Sequence, residues 1–162
     1  MFGVIVEKKF ALGMFRKDKE ALFAKKTDAT AFMRELFGYE YPDVGGYFVD
    51  TSEEDTISIR YREDDSKVIE RFSVTDMEDK PLPLGAFRET FWNDKNRLHS
   101  YNARFADPYD GYLFLKAVAP EGAEEDKVLG LFVVYGDDRV EREIYFVEQI
   151  HEDGTINDGE EY

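Results

Sequence analysis

The stretch YLFLKAVAPEGAEEDKVLGLFVVYGDDRVEREIYFVEQI, residues 112–150, decides how the rest of the chain is read. It holds three apolar runs parted by two acidic turn segments. Residues 128–135 are apolar except at Gly130, the pattern of a central strand covered on both faces. Residues 140–150 alternate instead. Val140, Ile144, Phe146 and Ile150 fall on one face at period 2, and Glu141, Glu143 and Gln149 on the other. Gly136-Asp137-Asp138 makes a polar turn between the last two runs. The stretch reads as a three-stranded antiparallel meander.

Upstream, Ile57, Ile59 and Tyr61 alternate with Ser58, Arg60 and Arg62, and a strand returns through Val68, Phe72 and Val74. This predicts a hairpin over residues 57–74, although Glu70 shares the apolar face. A helix is expected near 28–38, where Ala29, Phe32, Met33 and Leu36 share one face and Gly38 follows as a stop. A second helix is expected near 84–99, where Leu84, Phe87, Phe91 and Leu98 recur at helical spacing. Residues 102–111 read as loop. Phe2–Val6 reads as a first strand and Phe10–Phe15 and Ala21–Ala24 as two more, with a helix over part of residues 8–25 as the alternative. The fold class is α+β with a mostly antiparallel sheet. Its expected core is Phe32, Leu36, Ile59, Phe72, Phe87, Phe91, Leu131, Val133, Ile144 and Phe146.

Residues 1–151 are expected to form a single globular domain, with an acidic C-terminal tail over 152–162. Within it, halves at 27–76 and 84–150 each run from a helix into a meander. Asp64-Asp65 before Glu70-Arg-Phe-Ser-Val74 matches Asp137-Asp138 before Glu143-Ile-Tyr-Phe-Val147 at equal spacing. Such an order is similar to the doubled halves of sliding-clamp domains, as a fold-level analogy with no shared motif.

Composition narrows the function classes. Hydrophobic residues make up 43% of the 162, enough for a packed core. The absence of cysteine excludes disulfides and thiolate metal sites and favours a cytoplasmic location. No apolar run is long enough to span a membrane. The net charge is −15, split into +4 over residues 1–34 (8 basic, 4 acidic) and −19 over 35–162 (13 basic, 32 acidic). Direct nucleic-acid binding by the acidic part is disfavoured, because phosphate contacts need Lys and Arg. His99 and His151 lack metal-ligand spacing, and no Gly-rich phosphate loop or nucleophile elbow occurs. No cofactor and no metal are expected.

The acids concentrate in turns. This pattern points to a non-enzymatic module whose carboxylates cover the basic surface of another protein. Its sharp form is an inhibitor or DNA mimic, similar in size and charge to anti-restriction, anti-CRISPR and nuclease-immunity proteins. The partner would then be a nuclease or DNA-binding complex. The expected contact residues are Asp50, Glu53, Glu54, Asp55, Asp64, Asp65, Glu124, Glu125, Asp126, Asp137 and Asp138, with Tyr109 as an apolar anchor. Two alternatives stay open. One is an enzyme, such as a metal-dependent hydrolase, using the loop carboxylates Asp107 and Asp110. The other is an acidic structural or oligomer-forming domain.

Overall fold

The computed structural model describes residues 1–10, 14–63, 67–92, 95–153 and 155–156. Among them are ten strands and two helices, an α+β arrangement dominated by antiparallel pairing. The chain divides into two units, Met1–Asp79 and Lys80–Tyr162.

In the first unit β1 (Phe2–Phe10) and β2 (Met14–Phe23) form a hairpin and α1 (Lys26–Glu40) follows. Then β3 (Tyr47–Asp50), β4 (Thr56–Tyr61) and β5 (Val68–Asp76) form a meander. The strand order is β3-β4-β5-β1-β2. Alternation brings Val4, Val6, Ile57, Ile59 and Phe72 into one buried layer, and the register sets Phe72 between Val6 and Ile57. The expected spacing of Ala29, Phe32, Met33 and Leu36 gives α1 its face, and all four are buried. Phe32 packs on Phe23 at 5.4 Å between ring centroids, and Phe37 meets Phe72 edge-on at 5.9 Å. Burial of each such side chain contributes roughly 1.5–3 kcal/mol.

The second unit repeats this order of elements. Its hairpin is β6 (Leu84–Trp92) and β7 (Lys95–Phe105), its helix α2 (Pro108–Val118). The meander is β8 (Glu124–Asp126), β9 (Leu131–Tyr135) and β10 (Glu141–Gln149), and the strand order is β8-β9-β10-β6-β7. α2 buries Leu113, Phe114 and Leu115. Gly111 allows the helix to approach β10 closely: a Cβ there would stand 2.7 Å from Val147 Cγ2.

Several expectations are corrected here. The helix expected at 84–99 is replaced by strands over its described residues, 84–92 and 95–99. Phe87, Glu89 and Phe91 alternate with Arg88, Thr90 and Trp92 at period 2, and the β-favouring run Thr90-Phe91-Trp92 outweighs an incidental helical stripe. The meander begins at Glu124, because residues 112–118 belong to α2. Helix formation starts at Asp107, whose Oδ1 accepts from the Tyr109 N–H at 2.8 Å, with Pro108 in the first turn. The strand expected at 128–135 starts only at Leu131. Asp126 Oδ1 accepts from the N–H groups of Val128 and Leu129, and Gly130 takes a positive φ of 68°, so residues 127–130 turn. Val128 and Leu129 are 94% and 70% exposed.

Six of the expected core residues are buried: Phe32, Leu36, Ile59, Phe72, Phe87 and Val133. Phe91, Leu131, Ile144 and Phe146 are only partly buried and line an open hollow of about 390 Å³. On β10 the deepest side chain is Tyr145, from the face opposite to the expected one. After β10 the chain folds back: Ile150 bridges Ile156, and Thr155 bonds Asp153.

Candidate functional site

Among the described residues the expected acids of each unit lie on an edge strand or in turns of the meander. In the first unit Asp50 ends β3, and Glu53, Glu54 and Asp55 form the turn into β4. Asp50 Oδ1 accepts from the Ser52 N–H at 2.9 Å, and Oδ2 lies 3.8 Å from Arg60. The hydrogen bonds to Ser52 hold its carboxyl below the usual range. Lys26, at the start of α1, sits 2.7 Å from Asp55 and 3.9 Å from Glu54, and the bond to Asp55 raises its pKa. Asp64 and Asp65 lie outside the described residues.

In the second unit six expected residues fall on β8, on the turn between β9 and β10, and on the first turn of α2. Glu124, Glu125 and Asp126 are the whole of edge strand β8. Arg139 reaches Glu124 at 3.3 Å and ties that strand to the turn carrying Asp137 and Asp138. Asp138 accepts from the Val140 N–H and pairs with Arg142 at 2.9 Å. Glu125 accepts from the Tyr112 hydroxyl. The Tyr112 ring stacks on Phe132 at 5.9 Å and touches Tyr109 at 5.6 Å. Tyr109, 40% exposed, is thereby linked through Tyr112 to Glu125 of the acidic edge, and it lies on the first turn of a helix where a loop was expected. Residues 127–130 adjoin the same edge and display Val128 and Leu129, which sequence reading placed inside the sheet.

The two carboxylates of the enzyme alternative, Asp107 and Asp110, both lie at the start of α2. Asp107 caps α2, and Asp110 is buried in its first turn. Among the described residues no group of three or more His, Asp or Glu side chains is placed to hold a metal ion. Among the described residues no helix is long and apolar enough to cross a membrane.

A second ionisable cluster was not foreseen. Glu70 on β5 is 4% exposed. It accepts from the Tyr41 hydroxyl just past α1, and Lys8 on β1 lies 3.9 Å away. Glu40, in the last turn of α1, bonds to the same carboxylate. Desolvation first, and then that bond and the charge of Glu70, push Glu40 up to about 7. Burial and the bond of its own hydroxyl to Glu70 raise Tyr41 as well. This cluster clasps the C-terminal end of α1 to the sheet. Its signal in the sequence was Glu70 standing on the apolar face of its strand.

Comparison with protein-family models, with curated proteins and with solved structures finds no match.

Proposed function

We propose that this chain is a non-enzymatic acidic protein-binding module, an inhibitor or DNA mimic that occupies the basic surface of a nucleic-acid-acting protein. The observation that carries this reading is the edge of the second unit. There a wholly acidic strand, β8, adjoins a pinned turn bearing two bare aliphatic side chains. Carboxylates alone steer and orient a basic partner, while affinity rests on buried apolar anchors. Val128 and Leu129 supply those anchors more fully than Tyr109. Their turn is held by Asp126, so little conformational freedom is lost on docking.

The matching element order of the units supports reading them as duplicated halves, each beginning with a hairpin. Their acids then recur at corresponding places, the edge strand or its turn. Asp50, Glu53, Glu54 and Asp55 form the smaller counterpart in the first unit. Several of these acids are partly neutralised by Lys26 or Arg139, so the contact rests on a few free carboxylates and the apolar turn.

The test is a panel of nucleases and DNA-binding complexes, each assayed with and without the chain. A true target loses DNA binding in proportion to added chain. Reversing Asp137 and Asp138 to Lys slows association, as does added salt, because steering is screened beyond ~8 Å at physiological ionic strength. Saturable binding of the chain to long DNA by itself contradicts the proposal.

A further inference from the structure

One surface of the second unit has the opposite character from its acidic edge. The β6–β7 register sets Thr90 opposite Arg97, Trp92 opposite Lys95, and Arg88 opposite His99. Residues directly opposite each other share a face, and so do positions two apart along a strand. Thr90, Trp92, Lys95, Arg97 and His99 consequently line one hollow of about 360 Å³. That volume lies at the small end of ligand pockets, ~300–1,000 Å³.

The charge balance of the hollow is unusual for this chain. The unit holds 9 basic and 18 acidic residues, −9 in all. Yet Lys95, Arg97 and His99 make no ion pair or hydrogen bond among the described residues. On the β10 side the neighbouring charges are already engaged. Arg142 stands over the Trp92 ring at 5.1 Å and pairs with Asp138, and Glu143, opposite Thr90 on β10, accepts from the Tyr145 hydroxyl at 3.1 Å. Asp94, next to Lys95 in sequence, lies outside the described residues. Adjacent unpaired cations repel one another, which contributes nothing to stability. Trp92 is 52% exposed and adds a broad aromatic surface to the rim.

We infer that this hollow binds a small phosphate-bearing aromatic molecule of the mononucleotide class. The phosphate sits between Lys95 and Arg97, whose guanidinium offers paired donors to its oxygens. The Thr90 hydroxyl and His99 supply further polar contacts, and the planar base lies against the Trp92 indole. A short ligand ends inside the basic patch. A nucleic-acid strand would run on over a surface whose net charge repels it, which favours the mononucleotide over the polymer. The inference is independent of the proposed protein partner, since it uses none of the edge carboxylates.

Trp92 is the only tryptophan, so intrinsic fluorescence reports on the hollow directly. The full chain is titrated with adenosine 5′-monophosphate, adenosine, inorganic phosphate and an oligothymidylate strand. The expected result is saturable quenching by the mononucleotide, with adenosine and phosphate each binding at least roughly tenfold more weakly. The double variant Lys95→Ala, Arg97→Ala loses roughly tenfold or more in affinity with an unchanged circular dichroism spectrum. Should that variant misfold, the single Arg97→Gln variant serves, with the same direction expected. Absence of saturable quenching overturns the inference, as does quenching that survives loss of both cations. Phosphate binding as tightly as the mononucleotide overturns the aromatic contact. Oligothymidylate binding more tightly than the mononucleotide overturns the choice of a small ligand.

Discussion

The two units follow one chain path and differ in one feature each. The first gathers Glu40, Tyr41 and Lys8 around the buried carboxylate of Glu70, a clasp at the end of α1. The second carries a bare turn, with Val128 and Leu129 exposed at 94% and 70% against 55% for Tyr39 in the first, and Trp92 beside a basic hollow. A shared topology therefore fixes where edges and turns fall, while side-chain chemistry decides which of them hold the fold and which face a partner.

The comparison breaks most easily in the core. Phe72 is fully buried between Val6 and Ile57, so Phe72→Ala should cost roughly 3–5 kcal/mol in denaturant unfolding. Phe146, at the corresponding meander strand of the second unit, lines an open hollow. Phe146→Ala should cost about half as much, since a partly exposed site loses less transfer energy. Equal losses would mean that the second unit is as closed as the first.

The buried clasp gives the next effect. Glu40 titrates near 7 in the folded chain, above its ordinary value, so the folded form binds the extra proton. Stability from this group is fully present below the unfolded pKa of about 4.5 and is lost as pH rises through about 7. A full shift would correspond to about 1.4 kcal/mol per pKa unit. Solvent screening of this half-buried carboxyl reduces the loss to about 1 kcal/mol overall. Glu40→Gln should flatten the decline while keeping a donor for Glu70. An unchanged pH profile in that variant would remove the clasp from the account. A similar magnitude, about 1 kcal/mol, is expected for Asp107→Ala, which deletes the α2 cap.

Much of this was legible in the sequence. α1 declared itself because Ala29, Phe32, Met33 and Leu36 sit at helical spacing and little competes with that pattern. β4 and β5 declared themselves by alternation. α2 hid because Tyr112-Leu113-Phe114-Leu115 is apolar enough to pass for a buried strand, and the cap signal Asp107-Pro108 looks equally like a loop. β6 and β7 hid behind a stripe in which Phe87 and Phe91 fit both periods. The positions of the acids in turns and edges could be read locally. Their partners could not: Lys26 with Asp55, and Arg139 with Glu124, meet only once the chain has folded.

The smallest stability effect belongs to the exposed turn. Replacing Val128 and Leu129 together by Ser should change stability by less than about 0.5 kcal/mol, since neither is buried. The same change should weaken a partner's binding at least roughly tenfold. A large loss of stability with intact binding would make the turn structural.

The most direct measurement is competition. A nuclease or DNA-binding complex that retains this chain is loaded with labelled DNA, and the chain is titrated in at low and at physiological salt. The account predicts full displacement of DNA, slower association as salt rises, and weakened displacement when Asp137 and Asp138 become Lys or Val128 and Leu129 become Ser. A stable ternary complex of target, DNA and chain, unmoved by those substitutions, would contradict it.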